Sequence, residues 1–205
     1  MATQSILRTT SHPRATPNRE APPLASMKYG VALGWLFLFG EKDRVPYTIP
    51  ESPAAKSFFF RAPRETAQAR LAEAIRILKG AGEYLWSRFS GLEELAAELE
   101  RRTAPFVELD LEDVLAMGDP GDEFEQQVVA APGRLAELLQ AAARGEEARS
   151  LELVNSLREV SGMELTGDPE RDAEAWKREL RFLRLETPEE LCRWWVRGAI
   201  AAGRP

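Results

Sequence analysis

Phe106-Val107-Glu108-Leu109-Asp110-Leu111, introduced by Pro105, alternates side-chain character along its whole length. Val107, Leu109 and Leu111 fall on one side of an extended chain, and Phe106, Glu108 and Asp110 on the other. That is the period of a β-strand with one buried and one wet face. Asp110 is placed to cap a short helix, with Asp113 in its first turn and Val114, Leu115 and Met117 facing inward.

Working outward, two more segments read as strands. Residues 29–39, from Tyr29 to Phe39, are almost wholly apolar and carry Trp35, Phe37 and Phe39. They are far short of the roughly 20 residues that span a bilayer, so they predict a buried strand, with Gly34 at a bulge or close contact. Residues 55–61 hold Phe58, Phe59 and Phe60 and stop at Pro63. Pro46, Pro50 and Pro53 make a loop of the stretch between them.

The remainder reads as helix. Arg64 to Lys79 puts Ala67, Leu71, Ala74, Ile75 and Leu78 on one stripe. Helices are also predicted over 92–102, 123–131, 134–143, 146–160, 168–185 and from Thr187. Pro132 and Gly133 separate the third from the fourth. Thr187, Pro188 and Glu190 form a complete helix-start signal. No fixed period of the kind that marks a solenoid runs through the chain. The expected fold is therefore α+β: a small sheet of about three strands, near 29–39, 55–61 and 106–111, with a mostly helical C-terminal half.

Residues 1–26 stand apart. They carry Arg8, Arg14 and Arg19 against Glu20 alone, a charge of +2, and contain Pro13, Pro17, Pro22 and Pro23. They read as a disordered leader or a mis-annotated start, with Met27 opening the folded chain; an organellar transit peptide is a weaker reading. The organisation expected is leader 1–26, an α+β domain over 27–143, and a helical C-terminal region over 144–205 packed on it.

Charge and rare residues narrow the function. The net charge is −6, from 33 acidic against 27 basic residues, and subtracting the leader's +2 leaves −8 for the body. An acidic body without a basic, aromatic-interleaved patch argues against nucleic acid. Arginine outnumbers lysine 22 to 5, the bias of a GC-rich, bacterial genome. A single cysteine, Cys192, excludes an internal disulfide and agrees with a cytoplasmic setting. A single histidine, His12, lies in the leader, so the body has no imidazole for acid–base work, Ser-His or Cys-His pairs, or ordinary zinc sites. No cofactor or metal is expected.

The candidate site residues are few. Glu108 and Asp110 share a strand face roughly 7 Å apart; with Asp113 they are the candidate acid–base or metal-holding carboxylates, against a plainer reading as a solvated side chain and a helix cap. Asp119, Asp122, Glu123 and Glu125 lack EF-hand spacing and read as a turn and cap. Tyr84, Trp86 and Phe89 form an aromatic knot that is either core or the lining of a pocket. Trp194 and Trp195 are adjacent on a helix, about 100° apart, so one of them is a candidate partner-binding residue. The expectation is a non-enzymatic bacterial protein of immunity or adaptor type that binds another, basic, protein. The alternatives are a carboxylate-based metal-dependent enzyme and a small-molecule sensor.

Overall fold

The computed structural model describes residues 4–28, 30–49, 56–117 and 121–200. Tyr29, Pro50, Pro53 and Asp119, named above, lie outside the described residues.

The architecture is α+β, but the sheet has six strands among the described residues rather than about three. They are β1 (Gln4–Thr10), β2 (Pro23–Lys28), β3 (Arg44–Thr48), β4 (Lys56–Pro63), β5 (Phe106–Asp110) and β6 (Ala199–Ile200). Their order is β3-β4-β5-β1-β2-β6, every pair antiparallel. Two of the three expected strands stand, as β4 and β5.

The leader is the largest correction. Residues 4–10 pair with β5 on one side and β2 on the other, so the segment read as unstructured supplies the sheet's interior. Its polar composition hid this. Ser5, Thr9 and Thr10 are buried, and Ser5 donates its hydroxyl to Gly30 O at 2.6 Å. A central strand whose neighbours satisfy its polar side chains does not need an apolar sequence. β6 closes the far edge with residues 199–200, so both ends of the described chain lie in one sheet.

Residues 29–39 are the second correction. They hold a single helical turn, α1 (Leu33–Leu36), rather than a strand. Val31 to Phe39 are buried on every side, and a segment with no wet face shows no periodicity by which helix and strand can be told apart. Gly34 marks a close approach: a Cβ there would lie 2.3 Å from Val196 O and 2.9 Å from Leu92 Cδ2.

The remaining helices are α2 (Arg64–Gly80), α3 (Glu83–Phe89), α4 (Gly91–Glu100), α5 (Glu112–Leu115), α6 (Glu123–Ala143), α7 (Glu147–Asn155), α8 (Arg158–Ser161), α9 (Pro169–Ala175), α10 (Lys177–Leu183) and α11 (Pro188–Arg197). The stripe predicted on α2 is the one buried, through Ala67, Leu71, Ala74 and Leu78. Helix α6 runs straight through Pro132 and Gly133, where a break was expected. Pro132 forfeits one backbone hydrogen bond. Val128, Ala131, Leu135 and Leu138 are buried on either side of it, and that packing holds the helix continuous. Conversely, the helix expected over 146–160 breaks at Ser156 and Leu157, and that over 168–185 breaks at Trp176. Thr187 and Glu190 form the capping box as read.

Helices cover one sheet face, on which Leu7, Leu109, Val107, Phe60 and Ala62 lie in cross-strand register. One apolar cluster runs from Leu7 on β1 through α2, α4 and α6 to Val196 on α11.

Candidate functional site

The other sheet face carries Glu108 and Asp110, and it is not wet. Residues 11–22, the connection between β1 and β2, run across it as a strap. Glu108 is 0 % exposed; its Oε1 accepts from Arg61 Nε at 2.7 Å and its Oε2 from the Asn18 backbone N–H at 2.9 Å. Asp110 is 5 % exposed and accepts from Arg19 Nε at 3.1 Å and from the Glu112 backbone N–H at 3.2 Å. Arg19 Nη2 continues to Glu112 at 3.0 Å, and Glu112 accepts from the Tyr47 hydroxyl. Arg8, opposite Glu108 on β1, donates to Ala21 O at 2.6 Å. Burial pushes the Arg8 guanidinium down from its ordinary range. Burial also works against Arg19, but Asp110 and Glu112 outweigh it and raise that group. Tyr47 is raised by burial and by its bond to Glu112.

Chemically this arrangement is a clamp. Every carboxylate oxygen of Glu108 and Asp110 already has a donor, and Glu108 presents no surface to a substrate. The expected wet face is overturned because Arg19, Arg61 and Asn18 approach from parts of the sequence that the local alternation does not report. Asp113 is exposed on α5 and takes no part. Among the described residues no three His, Cys, Asp or Glu side chains converge as a metal site requires. Asp122 caps α6 by accepting from the Glu125 N–H at 2.8 Å.

A second polar knot lies on the helical side. Asp172, 0 % exposed, accepts from Tyr84 Oη at 2.6 Å, Arg88 Nη2 at 3.1 Å, and the Thr166 N–H and hydroxyl at 2.8 and 2.7 Å. The Arg88 guanidinium lies between the Tyr84 and Trp176 rings, 4.9 and 5.0 Å from their centroids. Burial, with Asp172 behind it, raises the Tyr84 phenol to about 12. The aromatic knot is thus divided: Phe89 is core, Trp86 stacks under Lys79, and Tyr84 binds Asp172. Cys192 is buried beside Arg88, and burial pushes its thiol up to about 11, the condition of an inert sulfhydryl.

The tryptophan pair parts as adjacent helical positions must. Trp195 is buried, its ring edge-on to Trp176 at 5.0 Å. Trp194 is half-buried and lines a groove of about 800 Å³ between β2, α8, α10 and α11. Phe182, 76 % exposed, and Leu183 form the facing wall with Met27 at the sheet edge. Lys28, Arg184, Glu159 and Glu179 supply charges of both signs. Sequence reasoning missed Phe182, because Leu180 and Leu183 account for the apolar face of α10. Its only signal was a large aromatic off that stripe.

No helix among the described residues is long and apolar enough to cross a membrane. No curated protein and no solved structure matches this chain. A family model described as "Domain of unknown function (DUF8083)" matches residues 2–164, which take in the strap, β1 to β5 and the helices as far as α8. The α10 and α11 walls of the groove follow the matched region. With most of its length matched, the chain belongs to the DUF8083 family.

Proposed function

We propose that this protein performs no chemistry of its own and acts by binding another protein, in the manner of an adaptor or immunity protein, through the groove between β2, α10 and α11. The observation that carries the reading is Phe182, exposed in the lining of the groove that Trp194 also lines. Large aromatics at the surface are the side chains on which binding energy concentrates. The net charge of −6 steers a basic partner toward the molecule as a whole, while Lys28, Arg158 and Arg184 with Glu159 and Glu179 give the groove itself a mixed rim. The carboxylates that would carry an enzymatic alternative are occupied by Arg61, Arg19 and backbone donors.

A small-molecule reading draws on the groove's volume, which falls within the roughly 300–1,000 Å³ of ligand sites. One experiment separates the two. A photo-crosslinker at Phe182 or at Met117, the other exposed large apolar side chain among the described residues, is activated in cells of the source organism. A protein adduct from position 182 and none from 117, lost on Trp194→Ala, supports the protein-binding reading. No adduct from either position, together with a copurifying metabolite displaced by Trp194→Ala, supports the small-molecule one.

A further inference from the structure

The groove between β2, α10 and α11 holds a hydrogen-bond donor left unused among the described residues. A buried tryptophan ordinarily finds an acceptor for its indole N–H. Trp35 donates to Arg197 O at 2.8 Å and Trp176 to Glu164 O at 3.2 Å. Trp195, 3 % exposed, has no acceptor among the described residues. Its Nε1 faces Gly162: a Cβ there would lie 3.1 Å from it, and both residues line the groove. Gly162 ends α8 at a φ of 78°, a conformation that favours glycine, so no side chain covers the N–H from that side. An indole N–H can only donate, and what it lacks is an acceptor.

The charges beside it sort in the same way. Lys28 and Arg184 line the groove at exposed positions and have no carboxylate partner among the described residues, whereas Arg158 pairs with Glu164 at 2.9 Å. Helix α10 is polarised: Glu179 lies in its first turn and Arg184 caps its C-terminal end, roughly 7.5 Å apart along the axis. Two residues of extended chain, at about 3.4 Å each, cover nearly that distance. An unused donor beside two unpaired cations suits a carboxylate, which accepts strongly and carries the charge. Phe182 and Trp194 offer an apolar surface in the same groove. The C-terminal residue is the one place in an unmodified protein where a carboxylate and a large apolar side chain share a Cα.

We propose, building on the protein-binding reading above, that the groove takes the free C-terminus of the partner. The terminal carboxylate accepts from Trp195 Nε1 and pairs with Arg184 and Lys28. The last side chain, apolar, packs on Phe182 and Trp194, and a basic residue two positions earlier meets Glu179.

The test is titration calorimetry of the full chain with acetyl-Gly-Lys-Gly-Leu bearing a free carboxylate, its C-terminal amide, the free acid with Glu in place of Lys, and sodium octanoate. The free acid is expected to bind saturably, at least about tenfold tighter than any of the other three. The Trp195 indole N–H, assigned through Trp195→Phe, is expected to move in heteronuclear NMR spectra with the free acid and not with the amide. Arg184→Gln with Lys28→Gln, both at exposed positions, is expected to weaken binding about tenfold or more and leave the melting temperature in place. Equal affinity for the amide or the Glu peptide, tighter binding of octanoate, no saturable binding, or an unchanged affinity in the double variant overturns the proposal. A protein adduct from position 182 without preference for the free acid overturns the carboxylate and leaves the protein-binding reading standing. Preference for the free acid without any protein adduct overturns the protein partner and leaves the carboxylate site standing.

Discussion

Glu108 on β5 stands directly opposite Arg8 on β1 and directly opposite Arg61 on β4, so one buried carboxylate sits between two arginines in cross-strand register. Its hydrogen bonds to Arg61 and to the Asn18 backbone join β4, β5 and the strap at a single point. Glu108→Gln removes the charge and keeps the shape, leaving the half-buried Arg61 without its carboxylate and the buried Arg8 with Asp110 alone. A loss of about 3 kcal/mol is expected in urea unfolding, with the denaturant slope unchanged. A variant of wild-type stability would show that the clamp contributes nothing to the fold.

A chain beginning at Met27 lacks β1, the strap and all of β2 except Met27 and Lys28. It exposes the edge of β5, leaves β6 without its partners Ala25 and Ser26, and loses the Asn18 and Arg19 donors to Glu108 and Asp110. Residues 27–205 expressed alone are expected to be aggregated or molten, without a cooperative thermal transition by circular dichroism. A sharp transition near that of the full chain would contradict the sheet order.

Asp172→Asn leaves Arg88 buried between two aromatic rings with no counter-charge. Destabilisation of about 3 kcal/mol is expected, together with a fall in the Tyr84 pKa toward its ordinary value, read by ultraviolet titration of the phenolate. If Arg88 contributes by stacking alone, stability will be nearly unchanged.

Alkaline pH offers a check without mutation. Tyr84 and Cys192 have folded pKa values raised to about 12 and about 11, so each holds its proton longer folded than unfolded. Their stabilisation is complete below the unfolded pKa values, near 9 for the thiol and 10 for the phenol, and is lost as pH rises through the folded ones. Unfolding free energies from urea titration are expected to hold to about pH 9 and fall steadily above it, by about 2 kcal/mol for Cys192 alone. Cys192→Ala should flatten the first part of that fall. Native Cys192 should also resist thiol reagents at neutral pH and react freely in urea.

Gly34→Ala is expected to cost about 3 kcal/mol, because its Cβ would meet the Val196 carbonyl as well as the Leu92 and Val196 side chains, and a backbone atom cannot rotate away. The melting temperature reports it; a neutral result would mean that α1 and α11 can separate.

What could be read without the structure was local. The α2 stripe, the cap at Asp122, the Thr187–Glu190 box, and strands β4 and β5 each rest on neighbours within a few residues, and each is present. What failed depended on distant partners. β1 looks like linker because Ser5, Arg8 and Thr10 are satisfied by Gly30, Ala21 and Asn18. The 29–39 segment looks like strand because burial on all sides erased its period. Glu108 looked solvated because Arg61 and Asn18 are far away in sequence. The tryptophan pair was legible as a geometric conflict, and its resolution into one core and one groove residue needed α9 and α10 in place.

The sheet order sets the timing of folding as well as its shape. β1 pairs with β5, which the ribosome delivers roughly 5–20 s later at ordinary synthesis rates. In that interval β1 and β2 have only each other to pair with, and a lone hairpin is barely stable in water. Arg8, Arg14 and Arg19 keep the waiting segment charged and soluble before Arg19 closes onto Asp110. Contacts that close only after so long a stretch of chain make for slow folding.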